Sequence, residues 1–172
     1  MEISTSYDGT SVVAGYFQKE MKLGDFTLNT TADYYSSIFM ARISKTGKVL
    51  WAKQMEAGST YDDYIGLTTD DDKNIYLTGA ISGYIYVAKF DSTGKEIWKN
   101  DFKKKHYGYG RSIGVDQYDN VYVVGGGGGN FFSAKLDYYG KECWTKSIQV
   151  NSSNGFNIND MEVDKQGNIY FA

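Results

Sequence analysis

Residues 70–74, Asp-Asp-Asp-Lys-Asn, set Asp70, Asp72 and Asn74 at alternate positions, the way a calcium-binding loop begins. The stretch lacks the central glycine and the distal glutamate that complete such a site. Related stretches put Tyr118 and Gln166 where Asp72 stands, so an Asx-stabilised turn is the expected role. Five consecutive glycines at 125–129 have the composition of a phosphate cradle, but that chemistry needs a helix N-terminus next and usually a lysine. The residues after the glycines read as a strand, and a flexible turn is expected at the run itself. Lys103, Lys104, Lys105, His106 and Arg111 interleave with Tyr107 and Tyr109, which suits anions or single-stranded nucleic acid. The stretch occurs once in a chain that otherwise repeats itself, and the formal net charge is −3, so a solvated loop and no nucleic-acid partner are expected. His106 is the only histidine, which excludes a multi-histidine metal site or a recognisable triad within the chain. No catalytic residue, metal or cofactor is expected. The single Cys143 excludes an internal disulfide and, aligned with Leu50 and Ile97, reads as a small buried hydrophobe.

These residues sit on a repeat. Trp51, Trp98 and Trp144 stand 47 and 46 residues apart and close the segments 41–51, 88–98 and 134–144, two of which run Ala-Lys-x-Asp-x-x-Gly-Lys-Glu-x-Trp. A second signature accompanies them: Asp70, Asn74, Tyr76, Gly79, then Asp116, Asn120, Tyr122, Gly125, then Asp164, Asn168, Tyr170. A degenerate first copy ends at Gly15. A fixed period of this size signals a repeat architecture.

Each unit reads as four short strands, A to D. Strand B is rich in β-branched and aromatic residues, and strands C and D turn at a glycine that supplies the positive φ of a tight hairpin. No window shows a 3.6-residue apolar period, so helices should be nearly absent. Four antiparallel strands per unit match a β-propeller blade, with each tryptophan packed structurally between blades. The expected fold is all-β, a single partial propeller of about three and a half blades over 1–172. Blade 1 covers 1–54 with a long B–C hairpin at 16–37, blade 2 covers 65–101, blade 3 covers 111–148, and a half blade covers 160–172. Because the motif glycine is due one residue after Ala172, the chain reads as a fragment of a longer protein. No stretch is apolar enough for a membrane span, and none has the pattern of a signal peptide.

Alternating strand direction puts the short, uniform A–B and C–D turns on one face and the variable B–C and D–A loops on the other. The variable face holds the long hairpin of blade 1, where Gly15 and Arg42 are 27 residues apart against 10 in the other copies. It also holds Tyr61, Asp62, Asp63, Tyr64, His106, Tyr107, Tyr109, Arg111, Phe156 and Asn157. Tyrosine, aspartate and asparagine on loops over a rigid scaffold make a recognition surface, and these residues are the candidate ligand-binding set. The expectation is a non-enzymatic module that recognises protein or glycan through this face. Two alternatives stand beside it. One is a propeller enzyme, quinone-dependent or polysaccharide-cleaving, whose centre lies largely outside the fragment. The other is a structural spacer of a surface protein or filament that associates through open edges or with further blades of its parent chain.

The paired signatures resemble the bacterial β-propeller repeat family often called SBBP, in which Asp-x-x-x-Asn-x-Tyr-x-x-Gly precedes an Ala-Lys-x-Asp-x-x-Gly-Lys-x-x-Trp type segment. Asp70 to Gly79 with Ala88 to Trp98, and Asp116 to Gly125 with Ala134 to Trp144, carry the resemblance. It implies an extracellular or cell-surface protein with a binding role and transfers no catalytic residues. Ala88, Thr93, Gly94 and Trp98 are also similar to PQQ-type propeller repeats, although Asp91 sits one residue late for that pattern.

Overall fold

A computed structural model of the chain describes residues 1–30, 36–55, 64–127, 129–150, 160–164 and 166–171. In chain order its strands begin with β1 (Glu2–Thr5), β2 (Ser11–Phe17), β3 (Glu20–Leu23), β4 (Phe26–Asn29), β5 (Ser37–Ile43) and β6 (Val49–Met55). Next come β7 (Gly66–Thr69), β8 (Ile75–Ile81), β9 (Tyr84–Phe90) and β10 (Glu96–Asn100), then β11 (Tyr109–Val115), β12 (Val121–Gly127), β13 (Asn130–Leu136) and β14 (Glu142–Gln149). The last two are β15 (Met161–Val163) and β16 (Ile169–Phe171). The one helical element among the described residues is a 3-10 turn, Phe102–Lys104.

Strands β1-β2-β5-β6, β7-β8-β9-β10 and β11-β12-β13-β14 form three four-stranded antiparallel sheets, blades 1 to 3. The pairs β3-β4 and β15-β16 are two-stranded sheets of their own. The first strands of successive blades, β1, β7, β11 and β15, lie against one another in turn and form the inner ring.

Blade stacking follows from the period-2 alternation of a strand. Val12, Ala14, Ile38 and Met40 face blade 2, where they meet Ile75, Leu77, Ala88 and Phe90. Tyr76, Ile85 and Val87 on the other face of blade 2 meet Ile113, Val121, Val123 and Ala134 of blade 3. Because both faces are covered, the central strands read as continuous apolar runs. The opposite face of blade 3 carries Tyr122, Val124 and Phe131 and packs on Met161, Val163 and Ile169 of the β15-β16 pair.

The tryptophans tie one blade to the next. Trp51 Nε1 donates to the Ser92 carbonyl at 3.2 Å, and Trp98 Nε1 donates to the Tyr138 carbonyl at 3.0 Å, in both cases in the C–D turn of the following blade. A Cβ at Gly94 would lie 3.0 Å from the Trp51 ring, and one at Gly140 would lie 2.5 Å from Trp98. The turn glycine therefore serves twice, through its positive φ (+73° and +78°) and by leaving room for the indole.

Three sequence-based expectations are corrected. Cys143 is exposed, as are Leu50 and Ile97 at the same register, because the residue before the tryptophan points outward from the outermost strand. Of the glycine run, 125–127 belong to β12 rather than to a turn. A Cβ on Gly125 would strike the carbonyl oxygen of Tyr109, so close approach of β11 selects glycine there. The inserted hairpin β3-β4 does not stand out from the variable face. It folds back over the face of blade 1 that points away from blade 2, where Leu28, Met21 and Leu23 join Val13, Phe17, Phe39 and Ala41.

Candidate functional site

At the A–B turns the Asp-x-x-x-Asn-x-Tyr signature closes on itself. Asp70 Oδ1 accepts the Asn74 backbone N–H at 2.8 Å, while Oδ2 accepts Asn74 Nδ2 at 2.8 Å and the Tyr76 hydroxyl at 2.9 Å. Asp116 repeats this with Asn120 and Tyr122, and Asp164 with Asn168 and Tyr170. Burial acts to raise the Asp116 carboxyl, but hydrogen bonds from Asn120, Tyr118 and Tyr122 outweigh it and hold the group below the usual carboxylate range. These carboxylates are turn anchors. Among the described residues no three His, Cys, Asp or Glu side chains converge to hold a metal ion.

The basic residue of strand C reaches into the same end of the molecule. Arg42, buried, donates to Thr10 Oγ1 at 3.0 Å and to the Ser92 carbonyl at 3.1 Å. Its counterpart Lys89 is only 1% exposed and has no hydrogen-bond partner among the described residues; its Nζ lies 4.0 Å from the Tyr138 ring centroid and 5.0 Å from that of Tyr76. Burial lowers its affinity for the proton, against the pull of Asp70, Asp119 and Asp72. Asp119 in turn is raised by burial and by Asp70. A groove of about 610 Å³ runs along this end between β7, β11 and β15, with Asp71, Asp72, Asp119 and Glu162 on its walls. In the sequence this end reads as uniform scaffold, and the acidic run 70–72 is its one visible signal.

On the opposite end the structure brings part of the candidate binding set together. The Arg111 guanidinium lies 3.6 Å from the centroid of the Tyr64 ring, and Tyr109 lies 5.6 Å from the same ring, tilted by 57°. The Tyr64 carbonyl accepts the Tyr16 hydroxyl at 3.1 Å, so blades 1, 2 and 3 all contribute to this cluster. Tyr64 is positioned by the entry to β7, and Tyr109 and Arg111 by the start of β11. Nearby Asp160 is engaged in structure: it accepts the Ser112 hydroxyl at 3.1 Å and the Met161 backbone N–H at 2.7 Å.

His106 and Tyr107 belong to a second group. The His106 ring lies 4.5 Å from that of Phe132, tilted by 45°, and its carbonyl accepts the Ile85 N–H at 3.0 Å, while burial pushes the imidazole below its ordinary range. Tyr107 is exposed and meets Tyr84 edge-on at 5.9 Å. Both line a recess of about 250 Å³ with Gly126, Asn130 and Ser147. Tyr61, Asp62, Asp63, Phe156 and Asn157 lie outside the described residues.

A feature the sequence does not announce lies between blades 1 and 2. A cavity of about 360 Å³ is lined by Met40, Met55, Ile81, Phe90 and Tyr86, whose hydroxyl is buried without a partner among the described residues. Burial drives that phenol well above its ordinary range.

No protein-family model matches the sequence, and no curated protein matches it. Among solved structures, the chain is similar to a protein of unknown function from Bacteroides caccae, with a TM-score of 0.57 and 12% identity. It is also similar to a luciferin-regenerating enzyme, with a TM-score of 0.54 and 13% identity. Each match covers 99% of this chain and 51% or 52% of the other, so the chain spans about half the length of the structures it matches. The fold is that of a partial propeller, all-β and built from four-stranded antiparallel sheets.

Proposed function

We propose that the chain is a non-enzymatic binding module of a bacterial surface or secreted propeller of the SBBP type, recognising protein or glycan through its B–C/D–A face. The observation that carries this reading is the cluster of Tyr64, Tyr109 and Arg111, in which a cation lies 3.6 Å from the centroid of an aromatic ring drawn from a different blade. Aromatic faces beside a planar guanidinium offer stacking area for sugar rings or side chains and donors for carboxylates, with little conformational entropy to lose. Exposed Tyr107 extends the same face outward. The test is a glycan and peptide array probed with the folded chain and with Tyr64→Ala and Arg111→Ala. Each substitution is expected to weaken the selected ligand at least about tenfold, equivalent to ~1.4 kcal/mol. Ligands held equally well by both variants would remove the cluster from the binding surface.

A further inference from the structure

Blade 1 meets blade 2, and blade 2 meets blade 3, through equivalent positions that are filled differently. Lys53 Nζ donates to the Gly94 carbonyl at 2.9 Å, as Asn100 Nδ2 donates to the Gly140 carbonyl at 2.9 Å, each two residues after its tryptophan. Two residues further on stand Met55 and Phe102. Phe102 is 1% exposed, and its ring meets that of Phe132 edge-on at 5.1 Å within the interface between blades 2 and 3. Asn100 Oδ1 accepts the Phe102 N–H at 2.7 Å, and the backbone takes a φ of +50° there, which bulky residues rarely adopt. Burial of a whole aromatic ring offsets that strain.

Between blades 1 and 2 the chain supplies no such ring. Met55 is only partly buried, Tyr86 takes the register of Phe132, and both line the cavity of about 360 Å³. Met40, Ile81 and Phe90 complete the apolar wall, and Lys53, Glu96 and Lys99 form a polar side. The Lys99 ammonium lies 5.8 Å from the Tyr86 ring centroid. The Tyr86 hydroxyl is sealed from solvent and has no partner among the described residues, a buried donor left unsatisfied where Phe39 and Phe132 carry none.

We propose that this inter-blade cavity is a binding site for a small, neutral aromatic molecule bearing a hydrogen-bond acceptor such as a carbonyl oxygen. Its ring takes the place that Phe102 holds in the next interface, where the Met40, Met55 and Phe90 side chains favour sulfur–aromatic and edge-to-face contacts. The acceptor meets the Tyr86 hydroxyl, which a turn of the phenol brings to the ligand. Burial holds that phenol well above its ordinary range, so it stays a donor at neutral pH. The volume lies within the ~300–1,000 Å³ of small-molecule sites. Lys53 is already committed to Gly94, and Glu96 offsets Lys99, so the polar side favours a neutral ligand over an ion. No wall residue belongs to the Tyr64–Tyr109–Arg111 cluster, so binding here stands or falls separately from binding at that face.

Acetophenone is the probe, and α-methylstyrene, with a methylene in place of the carbonyl oxygen, is its matched control. In nuclear magnetic resonance of the chain with its five methionine methyls isotope-labelled, acetophenone should shift Met40 and Met55 saturably and leave Met1, Met21 and Met161 in place. Tyr86→Phe should weaken acetophenone at least about threefold and leave α-methylstyrene unchanged. That variant keeps the fold, because Phe39 and Phe132 already hold the same register. Met55→Phe, which supplies the ring that Phe102 supplies next door, should abolish binding of both compounds. Three results each overturn the site: no saturable shift at Met40 and Met55, shifts confined to the other three methyls, or acetophenone held as tightly by either variant as by the unaltered chain.

Discussion

Tyr86 carries a hydroxyl that its counterparts do not. Phe39 and Phe132 occupy the same register in blades 1 and 3, opposite Gly15 and Gly125 as Tyr86 is opposite Gly79. A buried donor without a partner costs about 1–3 kcal/mol, so Tyr86→Phe is expected to stabilise the fold by about 1 kcal/mol in urea denaturation. A loss of stability instead would mean that the cavity beside it holds a hydrogen-bonding occupant. The anchoring aspartates give a second residue-level expectation. Asp116 and Asp164 are held below the usual carboxylate range, and Asp8 is depressed by its 2.7 Å ion pair with Lys73. Depressed carboxylates contribute stability that is present above their unfolded value near ~3.9 and is lost as pH falls through the folded values. The urea midpoint should therefore drop steeply below about pH 4. Asp116→Asn, which puts an amide against the Asn120 and Tyr122 donors, should lower the neutral midpoint and flatten that acid slope.

At the scale of elements, the C–D turns make the sharpest comparison. Gly47, Gly94 and Gly140 all have positive φ, but only the last two lie under an indole, and nothing stands within 4 Å of a Cβ at Gly47. Gly47→Ala should cost about 1 kcal/mol for the left-handed backbone alone. Gly140→Ala adds displacement of Trp98 and should cost at least about 1 kcal/mol more, read as the difference between two thermal or urea unfolding curves. The period, the turn glycines, the blade-stacking tryptophans and the closed Asp-Asn-Tyr turns are all legible in the chain, because each is a local pattern repeated at one spacing. The fate of the 16–37 insertion is not. Met21, Leu23 and Leu28 alternate as any hairpin does, and only tertiary structure shows that the face they cover is the side of blade 1 that points away from blade 2. Cys143 misleads for a related reason: alignment supplies its register, but outward exposure of that register depends on strand D being outermost. Of the candidate site, Tyr64, Tyr109 and Arg111 do meet, while His106 is drawn away by its contacts with Phe132 and Phe102. Sequence spacing shows neither outcome, since each rests on how adjacent blades are offset.

For the whole molecule, the two ends differ in chemistry. The A–B end carries a groove walled by Asp71, Asp72, Asp119 and Glu162, whereas the opposite end presents tyrosines with Arg111. A ligand drawn to the Tyr64–Arg111 cluster thus approaches away from the acidic groove, and added salt should leave a stacking-dominated complex largely intact while weakening one held by charge. The inter-blade links also have a sense. Two of the three indoles donate forward, Trp51 to blade 2 and Trp98 to blade 3, and Arg42 likewise reaches forward to Ser92. Nearest-neighbour coupling of this kind behaves as a one-dimensional chain of cooperative units. Melting the C–D turn of blade 3 would remove the acceptor of Trp98, and melting the D strand of blade 2 would remove the donor to the Tyr138 carbonyl, so either event loosens the neighbouring blade. Local openings should therefore spread from a blade to its neighbours on either side, so the repeat transmits unfolding as well as holding up loops.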